Sequence, residues 1–179
     1  MLQITIPASE QFDESTNEFI DTKEQTLQLE HSLISLSKWE SKWCKPFLSI
    51  KDKTDEETID YVRCMTLTQN VKPEVYYNLT AENFTQVTDY INAPMTATTF
   101  TNNEQKPSRE IITAELIYYW MIQHDIPFEC QKWHLNRLLT LIRVCSVKNT
   151  PAKKMSRSDL MSRNASLNAA RRAKLNTKG

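Results

Sequence analysis

Apolar and polar positions alternate along residues 2–7 (LQITIP), with the two-residue period of a half-buried strand. They alternate again over residues 25–32 (QTLQLEHS), through Leu27, Leu29 and then His31 or Leu33. The intervening stretch, SEQFDESTNEFIDTKE, is polar and acidic. This pattern predicts two or three short strands forming a small sheet or hairpin within residues 1–32.

From residue 33 the period lengthens to that of a helix. Ser37-Lys-Trp-Glu40 fits a capping box, and LISLSKWESKW predicts a helix that stops before Pro46. Thr54 with Glu57 is a second capping box, opening a helix to about Thr68 with Ile59, Tyr61, Val62 and Met65 on its apolar face. Pro73 begins a short helical turn. Thr80 caps a further segment with Phe84, Val87 and Ile91 on one face, ending before Pro94. Residues 95–108 read as a polar loop.

Ser108 is then positioned to cap a helix over about 109–124 (REIITAELIYYWMIQH), which is apolar nearly all round, as a buried central helix would be. After the short turn Asp125-Ile-Pro127, residues 128–147 predict a second long helix with Leu135, Leu138, Leu139, Ile142 and Cys145 on one stripe. A connection this short predicts that the two helices pack antiparallel. Beyond Pro151, SRSDLMSRNASLNAARRAKL is helical by propensity and begins at Ser156 with Asp159, but has only a weak apolar face. It reads as an appended arm that becomes ordered against a partner. The fold class is mainly α with a small N-terminal β element (α+β): residues 1–32 the β element, 33–147 the helical core, 148–179 a basic helical arm.

Composition narrows the chemistry. The 179 residues are 40% apolar, as in a globular chain, and no run approaches 18 apolar residues. The start, MLQITIPASEQFDE, lacks the basic and apolar regions of a secretion signal, so the sequons at Asn78, Asn83 and Asn164 carry no meaning. Cys44, Cys64, Cys130 and Cys145 are widely spaced without a CxxC and read as reduced thiols. Only one glycine is present, Gly179. Without an internal glycine the chain cannot build a Walker loop, a GxGxxG turn or a Gly-x-Ser-x-Gly elbow. Helix ends must use Asn or Asp in the left-handed conformation, or extended exits into proline. The reading is therefore of a soluble binding protein, not an enzyme, with no cofactor or metal.

Charge supplies the positive half of that reading. The formal net charge is zero, yet residues 1–90 carry a net of −8 and residues 91–179 a net of +8. Residues 148–179 alone hold nine bases and one acid, which accounts for the whole positive half. The bases Lys153, Lys154, Arg157, Arg163, Arg171, Arg172 and Lys174 have three readings: contacts to nucleic-acid phosphates, contacts to the acidic body of a neighbouring copy or another acidic partner, or a solvated tail. Elsewhere the bland readings win. Cys130 and His134 have the spacing of two metal ligands, but neither His31 nor His124 completes a set. Glu56, Glu57 and Asp60 cluster at a helix start, where the helix dipole favours them. Trp39, Trp43 and the run Tyr118-Tyr119-Trp120 read as core and interface aromatics before base-stacking ones.

Three stretches together, LEHSLISLSKWESKWCKPFLS at 29–49, REIITAELIYYWMIQHDIPFECQKWHLNRLLTLIRVC at 109–145 and SLNAARRAKLNTKG at 166–179, resemble a family of long-tailed bacteriophage proteins encoded in the virion-assembly region. Its members are often treated as tail assembly chaperones. The resemblance implies a protein that coats the tape-measure protein, keeps its apolar helices soluble and recruits tail-tube subunits in the host cytoplasm. It further implies self-association of acidic body and basic arm, with Trp39, Trp43 and Trp133 as apolar anchors for the client. A structural virion protein of the tail or head–tail connector is the alternative, because an arm without its own core is ordered by neighbours. A DNA-packaging accessory protein is a third, resting on the basic arm alone.

Overall fold

The structure is a computed structural model that describes residues 1–13, 18–100, 110–149 and 156–176. It divides into two units, Met1–Ser146 and Val147–Gly179. The first is mainly helical with an N-terminal antiparallel β element. Among the described residues no helix is long and apolar enough to cross a membrane.

The N-terminal strands are four: β1 (Leu2–Ile6), β2 (Ser9–Asp13), β3 (Glu18–Thr22) and β4 (Gln25–Leu29). β1 pairs antiparallel with β4, from Leu2↔Leu29 to Ile6↔Gln25. β2 pairs with β3 in the continuing register, from Ser9↔Thr22 to Asp13↔Glu18. The element is thus one long hairpin, interrupted where Pro7, which has no N–H to give, faces the other strand. The acidic stretch predicted to lie between strands supplies β2 and β3 themselves. Ile4, Ile6, Leu27 and Leu29 point to the core, while Gln3, Thr5, Thr26 and Gln28 face outward, as the alternation requires.

Helix α1 (Leu33–Trp43) starts earlier than predicted. Its capping box is Ser32 with Ser35, not Ser37 with Glu40: Ser32 accepts from the Ser35 N–H, and Ser35 Oγ accepts from the Ser32 N–H at 2.9 Å. Ser37 lies within the helix, and Glu40 is used elsewhere. Leu33, Leu36, Trp39 and Glu40 form the buried face. Helix α2 (Asp55–Met65) begins at the predicted Thr54–Glu57 box and packs on α1. After it, residues 66–68 run beside β4: the Leu67 N–H donates to the Gln28 carbonyl at 2.8 Å. Pro73 opens a 3-10 turn to Asn78, and Thr80 caps α3 (Ala81–Asn92) with Asn83. The Asn83 amide also donates to the Thr5 carbonyl at 3.2 Å, tying α3 to the hairpin.

Helix α4 (Ala114–Gln123) is capped by Thr113; the predicted cap, Ser108, lies outside the described residues. Residues 128–132 form a 3-10 turn, and α5 runs Leu135–Asn149, so the second long helix starts later than expected. The antiparallel pair predicted for α4 and α5 is not formed. α4 rests on α1, and His124 at its C-terminal end meets Ser146 near the far end of α5 at 2.9 Å. The cause lies in residues 133–135. The Leu135 N–H donates to the His31 carbonyl at 2.7 Å, and Ser32 and His134 form a β-bridge. The start of α5 is therefore held at the corner between β4 and α1, not beside the end of α4. The predicted apolar stripe does face the core: Leu135, Leu138 and Ile142 are buried, with Leu139 and Cys145 partly so.

Lacking internal glycine, the chain uses Asp125 after α4 and Asn176 after α6 at positive φ, as predicted for helix ends, and places Asn70 there in a turn; the α1 cap, Cys44, departs from the expected Asn or Asp. Cys44 (φ 51°) and Met95 (φ 49°) take the same conformation without the side-chain chemistry that eases it. The second unit holds the last residues of α5 and helix α6 (Arg157–Leu175). Ser156 caps α6 by accepting from the Asp159 N–H at 3.1 Å.

Candidate functional site

Of the three tryptophans expected to anchor a client, Trp39 is excluded. It is 0% exposed, and its Nε1–H donates to the Glu57 carbonyl at 2.8 Å, so it joins α1 to α2 inside the core. The four-residue spacing of Trp39 and Trp43 does not by itself tell an inner from an outer face. Trp43 is half-buried, with its Nε1–H on the Asp60 carboxylate at 2.9 Å. Trp133 is half-buried, with the Arg137 guanidinium 4.2 Å above its ring. Both remain at the surface with one side already covered.

The larger apolar surface is one that the sequence pattern hides. Read as buried all round, α4 buries only Ala114, Ile117 and Met121. Its outer face carries Tyr119 and Ile122, 57% and 61% exposed, with Ile111 before it at 59%. Ile111 and Glu115 line one depression of about 490 Å³, with Cys44, Lys45, Pro46 and Thr113. Phe128 is 52% exposed and leans on Tyr118, with ring centroids 6.3 Å apart. Nearly isotropic hydrophobicity carries no direction, so the outer side becomes visible only once α1 is seen to cover the inner one.

A second concavity of about 470 Å³ lies between α2 and α3. Phe47, Phe84, Val87 and Ile91 supply apolar lining, and Lys51 and Lys53 stand at the edge. Lys53 is held over the Phe47 ring at 4.2 Å, and burial lowers its pKa.

Helix α6 has 19 residues and no buried one. Arg157, Arg163, Arg171, Arg172 and Lys174 are all exposed on it, whereas Lys153 and Lys154 lie outside the described residues. Leu160, Leu167 and Leu175, with Met161, fall within roughly one third of its circumference at 100° per residue. Much of the opposite side is Ser and Ala, including Ser162, Ser166, Ala169 and Ala173.

No family model matches the chain, and neither a curated protein nor a solved structure matches it.

The polar clusters singled out in the sequence are bound into the fold. Glu57 accepts from the Thr54 N–H and is paired with Lys45, whose contact, with the capping bonds, lowers its carboxyl pKa. Asp60 holds Lys42 at 2.5 Å as well as Trp43. Cys130 lies in the 3-10 turn, so it does not share a helix face with His134. His134 must carry its proton on Nε2, because the atom it meets at 3.0 Å, the Tyr90 carbonyl oxygen, can only accept. His134 stacks edge-on against His31, 5.1 Å between centroids, and His31 Nδ1 shares a 2.6 Å hydrogen bond with the Tyr61 hydroxyl. Burial, then the neighbouring His134, pushes the His31 pKa down to about 3, and burial raises that of Tyr61. Among the described residues no group of three His, Cys, Asp or Glu side chains converges as metal ligands would.

Proposed function

We propose that this protein works by binding other proteins during the assembly of a long-tailed bacteriophage, as a tail assembly chaperone for the tape-measure and tail-tube proteins. One observation carries the binding half of the reading: α6 is a capped helix of 19 residues without a buried side chain. Most helical stability in proteins comes from packing an apolar face, not from helix propensity alone. Leu160, Leu167 and Leu175 are such a face, and a protein partner covers it. The outer side of α4, with Tyr119 and Ile122, is a second uncovered helical face. The α2–α3 groove, with its apolar lining and the lysines Lys51 and Lys53, is the proposed seat for an apolar client helix flanked by acids.

The phage assignment rests on the likeness of residues 29–49, 109–145 and 166–179 to that family. A structural role in the virion is the second reading, favoured by the same uncovered α6, since a lattice of neighbours covers such a helix permanently. Mass spectrometry of purified virions separates the two. A chaperone is absent or far below one copy per tail subunit, whereas a tail or connector component is present in stoichiometric amount. The third reading, a packaging accessory, requires the α6 bases to contact phosphates, so DNA binding must then fall steeply with salt. Binding that is absent or insensitive to salt removes it.

A further inference from the structure

Two surfaces of this chain are complementary in charge and both carry exposed apolar residues. On α6, Leu167, Arg171 and Leu175 follow one another at four-residue steps, an apolar–basic–apolar series along one face. On the outer side of α4, Glu115 and Tyr119 stand one such step apart, an acidic–apolar pair, and Ile111 lies in the extended segment just before the helix. All six residues are exposed. We infer that α6 of one copy docks along the outer face of α4 of a second copy, with Arg171 set against Glu115.

The charges support that occupant over an unrelated helix. Glu115 and Arg171 make no hydrogen bond or ion pair through their side chains among the described residues. Glu110, Asp125 and Glu129 lie in sequence around the α4 face, and Arg172 and Lys174 beside the α6 stripe. The cation in the neighbouring depression, Lys45, is committed to Glu57 and does not repel the arm. The depression itself, lined by Cys44, Pro46, Ile111 and Glu115 among others, has room for a leucine side chain from the arm. Each copy carries one arm and one acceptor face, so the contact is heterologous and propagates from copy to copy. An exposed ion pair adds little affinity; the leucines and Tyr119 supply the apolar contact, and the charges set orientation. The inference goes beyond the proposed chaperone role, because it requires only the chain itself and no client.

Sedimentation of the full-length chain tests it. The wild-type protein associates with rising concentration in the micromolar range. Glu115→Lys sets a lysine against Arg171, and Arg171→Glu sets two glutamates together, so each variant alone associates at least about tenfold more weakly. Mixed in equal amounts the two regain association, because each arm then meets a face of opposite charge. Equal thermal midpoints for the variants and wild type verify that the fold is intact, and the milder pair Glu115→Gln and Arg171→Gln gives intermediate weakening. A wild-type chain that stays monomeric, single variants within twofold of wild type, or a mixture that fails to regain association each overturns the inference.

Discussion

The carboxylate of Glu40, on α1, accepts the backbone N–H of Ala114, the first residue of α4, at 2.7 Å. Its other oxygen accepts the Phe47 N–H at 2.8 Å. One buried side chain therefore fixes the start of α4, and with it the direction in which Tyr119 and Ile122 face outward. Glu40→Gln replaces one acceptor by an amide that faces a donor. It should cost about 1–3 kcal/mol by urea unfolding. Burial raises the Glu40 pKa against the opposing pull of the two amides, so ionising it disfavours the fold, and the neutral variant recovers part of the loss. Hydrogen exchange should quicken first at the N-terminal amides of α4. An unchanged exchange pattern there contradicts the role assigned to Glu40.

His31 and His134 make stability fall in acid. Both pKa values are lowered, His31 from 6.5 to about 3, so the fold holds them neutral while the unfolded chain binds protons. A base with a depressed folded pKa contributes its full stability above 6.5 and loses it as pH falls towards the folded value. For His31 alone the loss at about pH 5 is roughly 2 kcal/mol. His31→Gln should flatten the pH dependence of the unfolding free energy between those limits. A slope identical to wild type refutes the coupling.

Trp39 and Trp133 should separate stability from binding. Trp39→Ala removes a fully buried ring and should cost about 3–5 kcal/mol, or prevent folding; Trp39→Phe keeps most of the volume, loses the bond to Glu57, and should cost about 1–3 kcal/mol. In the Trp39→Phe chain, once folded, partner affinity stays unchanged. Trp133→Ala removes a half-buried ring stacked by Arg137 and should cost about 1 kcal/mol. A large loss of affinity with Trp39→Phe at wild-type melting behaviour contradicts its placement in the core.

Removing α6 should leave the first unit intact. No described residue of 156–176 is buried, so a chain ending at Asn149 gives up no core contact made by that helix. Its thermal midpoint should lie within about 2 °C of the full-length value. A drop of about 10 °C means that α6 supports the first unit.

Local signals were legible in the sequence, and distant ones were not. The box at Thr54, the caps at Thr80 and Ser156 and the stripe Leu135, Leu138, Ile142 each depend on residues within a few turns of one another. Ser37 with Glu40 has the local form of a capping box, yet Glu40 is spent on Ala114, far along the chain, and the cap is Ser32. The same cause hides the His31–His134 stack and the link between Trp39 and Glu57: partners distant in sequence leave no periodic trace. The outer face of α4 was missed for the opposite reason. Its residues are apolar on every side, so the pattern carries no direction, and only the position of α1 supplies one. The lack of buried side chains on α6 was legible, because its leucine stripe is sparse and set among bases, Ser and Ala.

The proposed client is the tape-measure protein of a phage tail. Co-expression of the tape-measure protein of the same phage with and without this chain measures that most directly. The tape-measure protein is expected to be insoluble alone and recovered in the soluble fraction as a complex when this chain is present. A tape-measure protein equally insoluble in both cases would contradict it.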